Sequence, residues 1–207
     1  FSGLQAIVFD FDGVLVESVD LKGQAFVALY GGESEAIRQE VLAYHEAHGG
    51  MTRYEKIRYY ETLCERRGDE ESVAVLAARF AEIVEAQVIA APWVAGAHAF
   101  LEQYHDTIPL YVASATPQEE LERIIEKRGM SPFFKRVYGA PAKKQEALLN
   151  IAAANRYDPQ AMLMVGDAMT DWDAAEKAGT RFIGRIAPDH GTSVFPAGTS
   201  LIRDLTE

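Results

Sequence analysis

The stretch Ile7-Val8-Phe9-Asp10-Phe11-Asp12-Gly13-Val14-Leu15 places two carboxylates and a glycine where an apolar run ends. Leu4 to Phe9 is almost wholly apolar, with β-branched Ile7 and Val8, which predicts a strand buried on both faces. In an open parallel sheet, ligands bind beyond the carboxyl ends of the strands, so Asp10 and Asp12 are expected at the mouth of a site. The two-residue period of a strand sets both on the same side.

Outward from this strand the pattern changes at once. From Ser18 to about Val88 only helical periodicity is present, and four helices are expected. The first runs from about Ser18 to Tyr30 and stops at Gly31-Gly32. The second follows Ser34 and ends at Gly49-Gly50. Thr52 and Glu55 form a capping box that opens the third, expected to reach Arg67. The fourth follows Ser72, with Val73, Leu76, Phe80, Ile83 and Val84 as its buried stripe.

From Trp93 onward, strands and helices alternate. Strands are expected at Ile108 to Ala113, Arg136 to Tyr138, Ala161 to Val165 and Thr180 to Ile183, and helices from about 95 to 104, 117 to 127, 144 to 155 and 171 to 178. Thr116 with Glu119 reads as a second capping box, and Thr170 as the cap of the last helix. The alternation predicts an α/β protein with a doubly wound parallel sheet. Residues 1–16 and 92–207 form the sheet domain in this reading, and residues 17–91 an all-helical insertion joined by two linkers, the arrangement of a hinged lid.

Composition narrows the function. Of 207 residues, 48% are hydrophobic and 25% charged, ordinary values for a globular protein. The net charge of −11, from 20 basic and 31 acidic residues, argues against nucleic acid as a partner, which needs a basic footprint. The most apolar helix-length stretch, Val84 to Leu101, is interrupted by Glu85, Pro92 and His98, so no membrane partner is expected. Cys64 is the only cysteine and no secretory pattern opens the chain, which points to a reducing, cytoplasmic setting. A monomer or a small homo-oligomer is expected.

Four strand ends carry or precede polar groups: Asp10 with Asp12, Ser114, the loop Gly139 to Lys144, and Asp167 with Asp171 one helical turn on. Carboxylates gathered at one point repel one another, and a hard cation with oxygen ligands offsets that repulsion. Mg²⁺ suits such a site because it keeps several waters and binds one or two carboxylates plus a substrate phosphate. The set suggests phosphoryl transfer, with a carboxylate attacking phosphorus and a lysine and the metal holding the transferring charge. Lys143 and Lys144 compete for the role of that lysine.

Asp10-Phe11-Asp12-Gly13-Val14, Ser114 after a strand, Gly139-Ala140-Pro141-Ala142-Lys143-Lys144 and Gly166-Asp167-Ala168-Met169-Thr170-Asp171 resemble, in order and placement, the four motifs of the haloacid dehalogenase-like hydrolase superfamily. The likeness covers essentially the whole chain and implies a Rossmann-like core with a helical cap inserted between the first two motifs, the arrangement of the phosphoglycolate phosphatase and β-phosphoglucomutase-like branch. It implies Asp10 as nucleophile and metal ligand, and Asp12 as proton shuttle whose backbone carbonyl also binds Mg²⁺. Ser114 and the amide of Ala115 would hold a phosphate oxygen. Lys144 occupies the last position of the pattern Gly-x-Pro-x-x-Lys found in family members. Asp167 would be the second carboxylate ligand, and Asp171 would act through metal-bound water or by orienting Lys144. Asp173 reads as a helix-dipole residue only.

A second aspartate at position 12 distinguishes phosphate-handling members from dehalogenating ones, because a halide needs no proton to leave. The resemblance therefore implies a Mg²⁺-dependent phosphatase acting on a small phosphorylated metabolite such as a sugar phosphate, with a phosphomutase as the alternative. A phosphonate-cleaving relative would need a cap lysine, for which Lys22 and Lys56 are available. Two non-enzymatic readings, a phosphoacceptor signalling module and a phosphate-binding relative, are opposed by the long helical insertion and by the complete polar set. Arg53 and Lys56, at a helix start behind Gly49-Gly50, are the expected specificity residues of the cap. His45 and His48 read as surface or helix-end positions, since neither has a partner at metal-ligand spacing.

Overall fold

The computed structural model describes residues 3–188 and 193–206. Residues 1, 2 and 207, the outer limits of the expected sheet domain, lie outside that range. Strand β1 (Ala6–Phe9) is buried along its whole length. It is followed by four helices, α1 (Val19–Leu29), α2 (Glu35–Ala47), α3 (Arg53–Leu63) and α4 (Glu70–Ala90). The chain then alternates α5 (Ala97–Tyr104), β2 (Leu110–Pro117), α6 (Gln118–Lys127), β3 (Arg136–Ala140), α7 (Lys144–Asn155), β4 (Met162–Gly166), α8 (Met169–Ala178), β5 (Arg181–Arg185) and β6 (Ser200–Ile202). No helix of the described residues is long and apolar enough to cross a membrane.

The six strands pair in parallel in the order β3-β2-β1-β4-β5-β6. Chain direction across the sheet reverses between β1 and β4, so the crevice of such a sheet opens beside Asp10 and Asp167. Alternate residues of each strand feed opposite layers, as the period of two requires. Ile7, Phe9, Leu110 and Val112 pack with Leu101, Leu121 and Ile124 of α5 and α6. Ala6, Val8, Met162 and Met164 pack with Leu148, Ile151, Ala174 and Ala175 of α7 and α8. Burial on both faces explains why β1 reads as a continuous apolar run.

The helical insertion leaves and rejoins the sheet through two paired segments. Val94 N–H donates to Leu15 O, Glu17 N–H donates to Pro92 O, and Val16 bridges Trp93. Arg128, at the end of α6, donates from Nη1 to the carbonyls of Val88, Ile89 and Ala91 and so closes the open end of α4. Within the insertion Phe26, Tyr60 and Phe80 form an aromatic centre.

Several helix ends differ from the sequence expectation. Thr52 and Glu55 do form the reciprocal capping box, a feature that contributes about 1 kcal/mol. Helix α3 stops at Leu63, short of Arg67, and α4 is capped by Asp69, whose side chain accepts the Ser72 amide. Helix α8 begins at Met169 and Thr170 does not cap it; its hydroxyl donates to Gly49 O of the insertion at 3.3 Å. Thr116 is not a cap either, because β2 continues through Pro117 and carries the hydroxyl toward Asp12. The three-residue edge strand β6 has too short a pattern to register in the sequence.

Candidate active site

The chain leaves β1 through a turn at Gly13, where φ is +71° and an added Cβ would stand 1.9 Å from Asp167 Oδ2. Only glycine lets the first and last strand-end loops approach this closely. The turn is held from outside by Arg185, which donates to Gly13 O and makes a bidentate pair with Glu17.

Asp10 is buried, and its Oδ1 accepts the Phe11 amide at 2.7 Å. Lys144 Nζ lies 2.7 Å from Asp10 Oδ2 and donates to Asp171 Oδ1 at 2.5 Å. Asp171 Oδ2 accepts the Ala168 amide, and the side chain is inaccessible to solvent. Lys143 takes the N-cap position of α7 and is exposed, so Lys144 is the lysine that reaches the strand ends.

Ligand oxygens of Asp10, Asp167 and Asp171 lie within 4.8 Å of one another. Burial raises the Asp10 carboxyl to about 7 against the pull of Lys144, and Asp171 and Asp12 push it the same way. Burial, with Asp10 and Asp171 adding to it, also raises Asp167 well above the usual carboxylate range. Burial opposes the charge on Lys144, but Asp10 and Asp171 overcome it and hold the ammonium firmly protonated. Three carboxylates around one ammonium leave an excess of negative charge. An oxygen-only donor set of this kind fits a hard divalent cation.

Asp12 lies apart from that oxygen cluster. Its Oδ1 accepts from Ser18 Oγ at 2.6 Å, and its Oδ2 from Lys22 Nζ at 2.5 Å and Thr116 Oγ1 at 3.2 Å. Lys22 also donates to Thr116 Oγ1. Burial acts to raise the Asp12 carboxyl, yet the Lys22 charge and the Lys22 and Ser18 hydrogen bonds prevail and lower it. Two aspartates separated by one residue are thus pushed in opposite directions, the usual mark of divided acid–base roles.

Ser114 is buried, and its Oγ accepts the Thr116 amide at 3.1 Å. The capping box expected at Thr116 is therefore absent, and the Thr116 amide is held by Ser114 instead. The wall at this strand end is formed by Ala115 and Thr116. Arg53 is not a free cation: it makes a bidentate pair with Glu120 of α6, with both side chains buried, and its guanidinium lies over Phe80. Lys56 is buried rather than solvated, and so is His45, which stands in the last turn of α2. Lys22, Thr116, His45 and Glu120 were not singled out as site residues from sequence. Their partners lie 10 to 104 positions away, and no local spacing marks them.

Asp10, Asp12, Lys22, His45, Arg53, Lys56, Thr116 and Asp167 line one cavity of about 290 Å³ between the strand ends and the insertion. The insertion closes over it at Gly49-Gly50. Gly50 has φ of +72°, and an added Cβ there would meet Thr170 Oγ1 at 1.8 Å.

A sequence profile described as haloacid dehalogenase-like hydrolase matches residues 7–185. The chain belongs to this family of hydrolases. A comparison with curated protein sequences finds no match. Among solved structures, CbbY from Rhodobacter sphaeroides, in complex with phosphate, is similar at a TM-score of 0.75 and 21% identity over 99% of this chain and 96% of that one. YfnB of Bacillus subtilis, bound to magnesium, has a TM-score of 0.74 at 18% identity, covering 98% of this chain and 96% of that one. A predicted phosphoglycolate phosphatase from Haemophilus somnus 129PT has a TM-score of 0.75 at 16% identity, covering 100% of this chain and 96% of that one. At these identities the likeness establishes the fold. The motifs that resembled the family in the sequence lie within the matched residues.

Proposed function

We propose that this hydrolase is a Mg²⁺-dependent phosphatase that cleaves a small phosphate monoester through an aspartyl phosphate on Asp10. The observation that carries the reading is the separation of Asp10, in the Lys144, Asp167 and Asp171 cluster, from Asp12, in the Ser18, Lys22 and Thr116 cluster, on the wall of one cavity.

Asp10 attacks phosphorus as the bond to the leaving oxygen breaks, and Asp12 passes a proton to that oxygen. Water then attacks phosphorus, Asp12 takes its proton, and the Asp10 carboxylate is released with inorganic phosphate. Lys22 favours the ionised form of Asp12, which takes one proton from bulk water as substrate enters and then passes it to the leaving oxygen. Lys22 belongs to α1, and movement of the insertion therefore changes the proton affinity of Asp12. Lys144 holds Asp10 and Asp171 in place, and the Ser114 hydroxyl and Ala115 amide receive a phosphate oxygen. Mg²⁺ would be held by Asp10 and Asp167, with the Asp12 carbonyl and, through water, Asp171; when bound it neutralises charge on the phosphoryl oxygens.

Residues 17–91 act as the lid, and residues 1–16 and 92–207 as the catalytic core, with the paired segments around Val16 and Trp93 as hinge. A cytoplasmic setting agrees with the free thiol of Cys64. The test is phosphate release from an aryl phosphate with Mg²⁺ by the native chain and by Asp10→Asn. Release is expected from the native chain alone. Equal release by both would remove Asp10 as nucleophile, and no release from any monoester by the native chain would return the fold to a binding role.

A further inference from the structure

Arg185 ends β5, is 3% exposed and lines the cavity, yet no catalytic step above uses its charge. Its guanidinium joins three segments that are distant in sequence. Nε donates to Arg203 O at 2.9 Å and Nη1 to Gly13 O at 2.9 Å, while Nη1 and Nη2 hold the Glu17 carboxylate at 3.0 Å and 2.6 Å. Among the described residues Glu17 is the only carboxylate within ion-pair distance of it; Asp204 feels its charge from farther off. A planar fork serves a carboxylate and two carbonyls at once, which the single ammonium of a lysine cannot do with the same rigidity.

Two of these contacts rest on the sheet domain. Gly13 lies against Asp167, where an added Cβ would stand 1.9 Å from Oδ2, so that carboxylate feels any shift of the turn. Residues 12–18 are themselves one compact unit: Gly13 N–H and Ser18 N–H both donate to Val16 O, and Ser18 Oγ donates to Asp12 Oδ1. Beyond Arg203, Leu205 N–H donates to Ala95 O, and a Cβ on Gly96 would stand 2.6 Å from Leu205 C, so this end is wedged in place. The third contact is of another kind. Glu17 belongs to the first linker, its N–H donates to Pro92 O of the second, and its side chain is 40% exposed. Rotation of the insertion about its linkers moves Glu17 first and strands a buried guanidinium without its counter-charge.

We propose that Arg185 is a positioning residue: paired with Glu17, it holds the turn of Asp12 and Gly13 against Asp167, and it releases that alignment when the opening lid carries Glu17 away. The proposal rests on the lid and metal readings above. The turn and the linker become two ends of one linkage, so whatever orders one end acts on the other with the same coupling free energy. A divalent cation held by Asp10 and Asp167 therefore tightens the linker. In the other direction, a loosened linker misplaces Asp12 relative to the reacting centre. Arg185 acts on both through Gly13.

Trp93 reports on the linkers, because it bridges Val16 where the two segments pair, and the chain has only one other tryptophan, Trp172. In a Trp172→Phe background, Mg²⁺ is titrated while Trp93 emission is followed, and calorimetry on the same samples measures Mg²⁺ binding directly. With Glu17 and Arg185 intact, the emission is expected to change with the same midpoint as the calorimetric curve. Glu17→Gln, at a half-exposed position, keeps an acceptor but loses the charge; Mg²⁺ should still bind, and most of the emission change should vanish. Arg185→Lys should do the same. In turnover of a phosphate monoester both variants should lower kcat by roughly 10- to 100-fold, the scale of a small misplacement of catalytic groups, with KM little changed. Trp93 emission that ignores Mg²⁺ when both residues are intact overturns the proposal, as does a response that survives Glu17→Gln. A Glu17→Gln protein that loses Mg²⁺ binding and stability together also overturns it, because the pair is then merely structural. If the emission behaves as expected but no monoester is hydrolysed, the phosphatase reading fails and the Arg185 assignment stands. Turnover with an unchanged kcat in both variants keeps the phosphatase reading and removes Arg185 from it.

Discussion

The two walls of the cavity are unbalanced in opposite senses. At the strand ends, Asp10, Asp167 and Asp171 surround the single ammonium of Lys144, and the carboxyls of Asp10 and Asp167 are forced upward. In the insertion every cation that lines the cavity is matched by a carboxylate except Lys56. One wall lacks a cation and the other an anion. A metal ion together with an anionic ester completes both, which explains how two surfaces that are each electrostatically unfinished fit one ligand set.

The largest effect expected from breaking this contrast is on the strand-end wall. Asp10→Asn should lower phosphate release by about 10⁴-fold or more, the scale of losing a nucleophile. The same change should raise the melting temperature of the metal-free protein, because an ionised Asp10 is disfavoured there by burial and by its acidic neighbours. A less active and less stable Asp10→Asn protein would show that the carboxylate cluster is not under electrostatic load.

Asp12→Asn should follow, with a loss of roughly 10²- to 10⁴-fold for esters of alkyl alcohols, the contribution of general acid–base catalysis. With an aryl phosphate, whose leaving oxygen needs less protonation, the loss in the first step should be clearly smaller. Steady-state rates over a series of leaving groups measure this. An equal loss across the series would assign Asp12 to metal binding or structure instead.

The contact between the walls comes next. Arg53 in α3 and Glu120 in α6 form a buried bidentate pair, and Arg53→Ala leaves Glu120 buried without its partner. A loss of roughly 3–5 kcal/mol in denaturant unfolding is expected. Replacing the pair together, Arg53→Leu with Glu120→Met, should recover most of it. A single substitution that costs under about 1 kcal/mol would mean that the insertion swings away from α6 in solution and exposes the pair.

The two walls also differ in how far they can be read from sequence. Asp10, Asp12, Lys144, Asp167 and Asp171 sit at strand ends, where an apolar run that stops at a carboxylate is a local signal, and the fixed direction of parallel strands gathers those ends at one edge. The insertion has no such rule. Even in the sheet domain, Thr116 and Glu119 have the spacing of a capping box, yet the hydroxyl serves Asp12, 104 residues away. Arg53 has the position of a free cation at a helix start, yet Glu120 of α6 neutralises it in a direct buried pair. His45 looks like a helix-end residue, and only the packing of α2 on Gly23 shows that it is buried. Helix packing faces depend on which neighbours arrive, and spacing within one helix does not record that.

The smallest expected effect separates the walls by pH. His45 falls from 6.5 to about 4 on folding, so between those values the unfolded chain holds a proton that the native one lacks. The stability that His45 preserves is fully present above pH 6.5 and is lost as pH falls toward 4, a loss of order 3 kcal/mol. Asp10 runs the other way. Its rise from 3.8 to about 7 means that the metal-free native state holds the extra proton, and stability is lost as pH rises through that window. The two slopes oppose each other in the metal-free protein. Mg²⁺ keeps Asp10 ionised and removes its slope, so the acid loss due to His45 should steepen when the metal is present. Lys56, which faces the same ring, is lowered only to about 8, remains protonated throughout this range and contributes no slope of its own. His45→Gln, which retains a donor for Val19 O, should flatten the Mg²⁺-loaded profile between pH 6.5 and 4. Unfolding curves of both proteins, each with and without Mg²⁺, measure the difference. A Mg²⁺-loaded profile as steep in His45→Gln as in the native chain would place the titrating group on the strand-end wall instead of in the insertion.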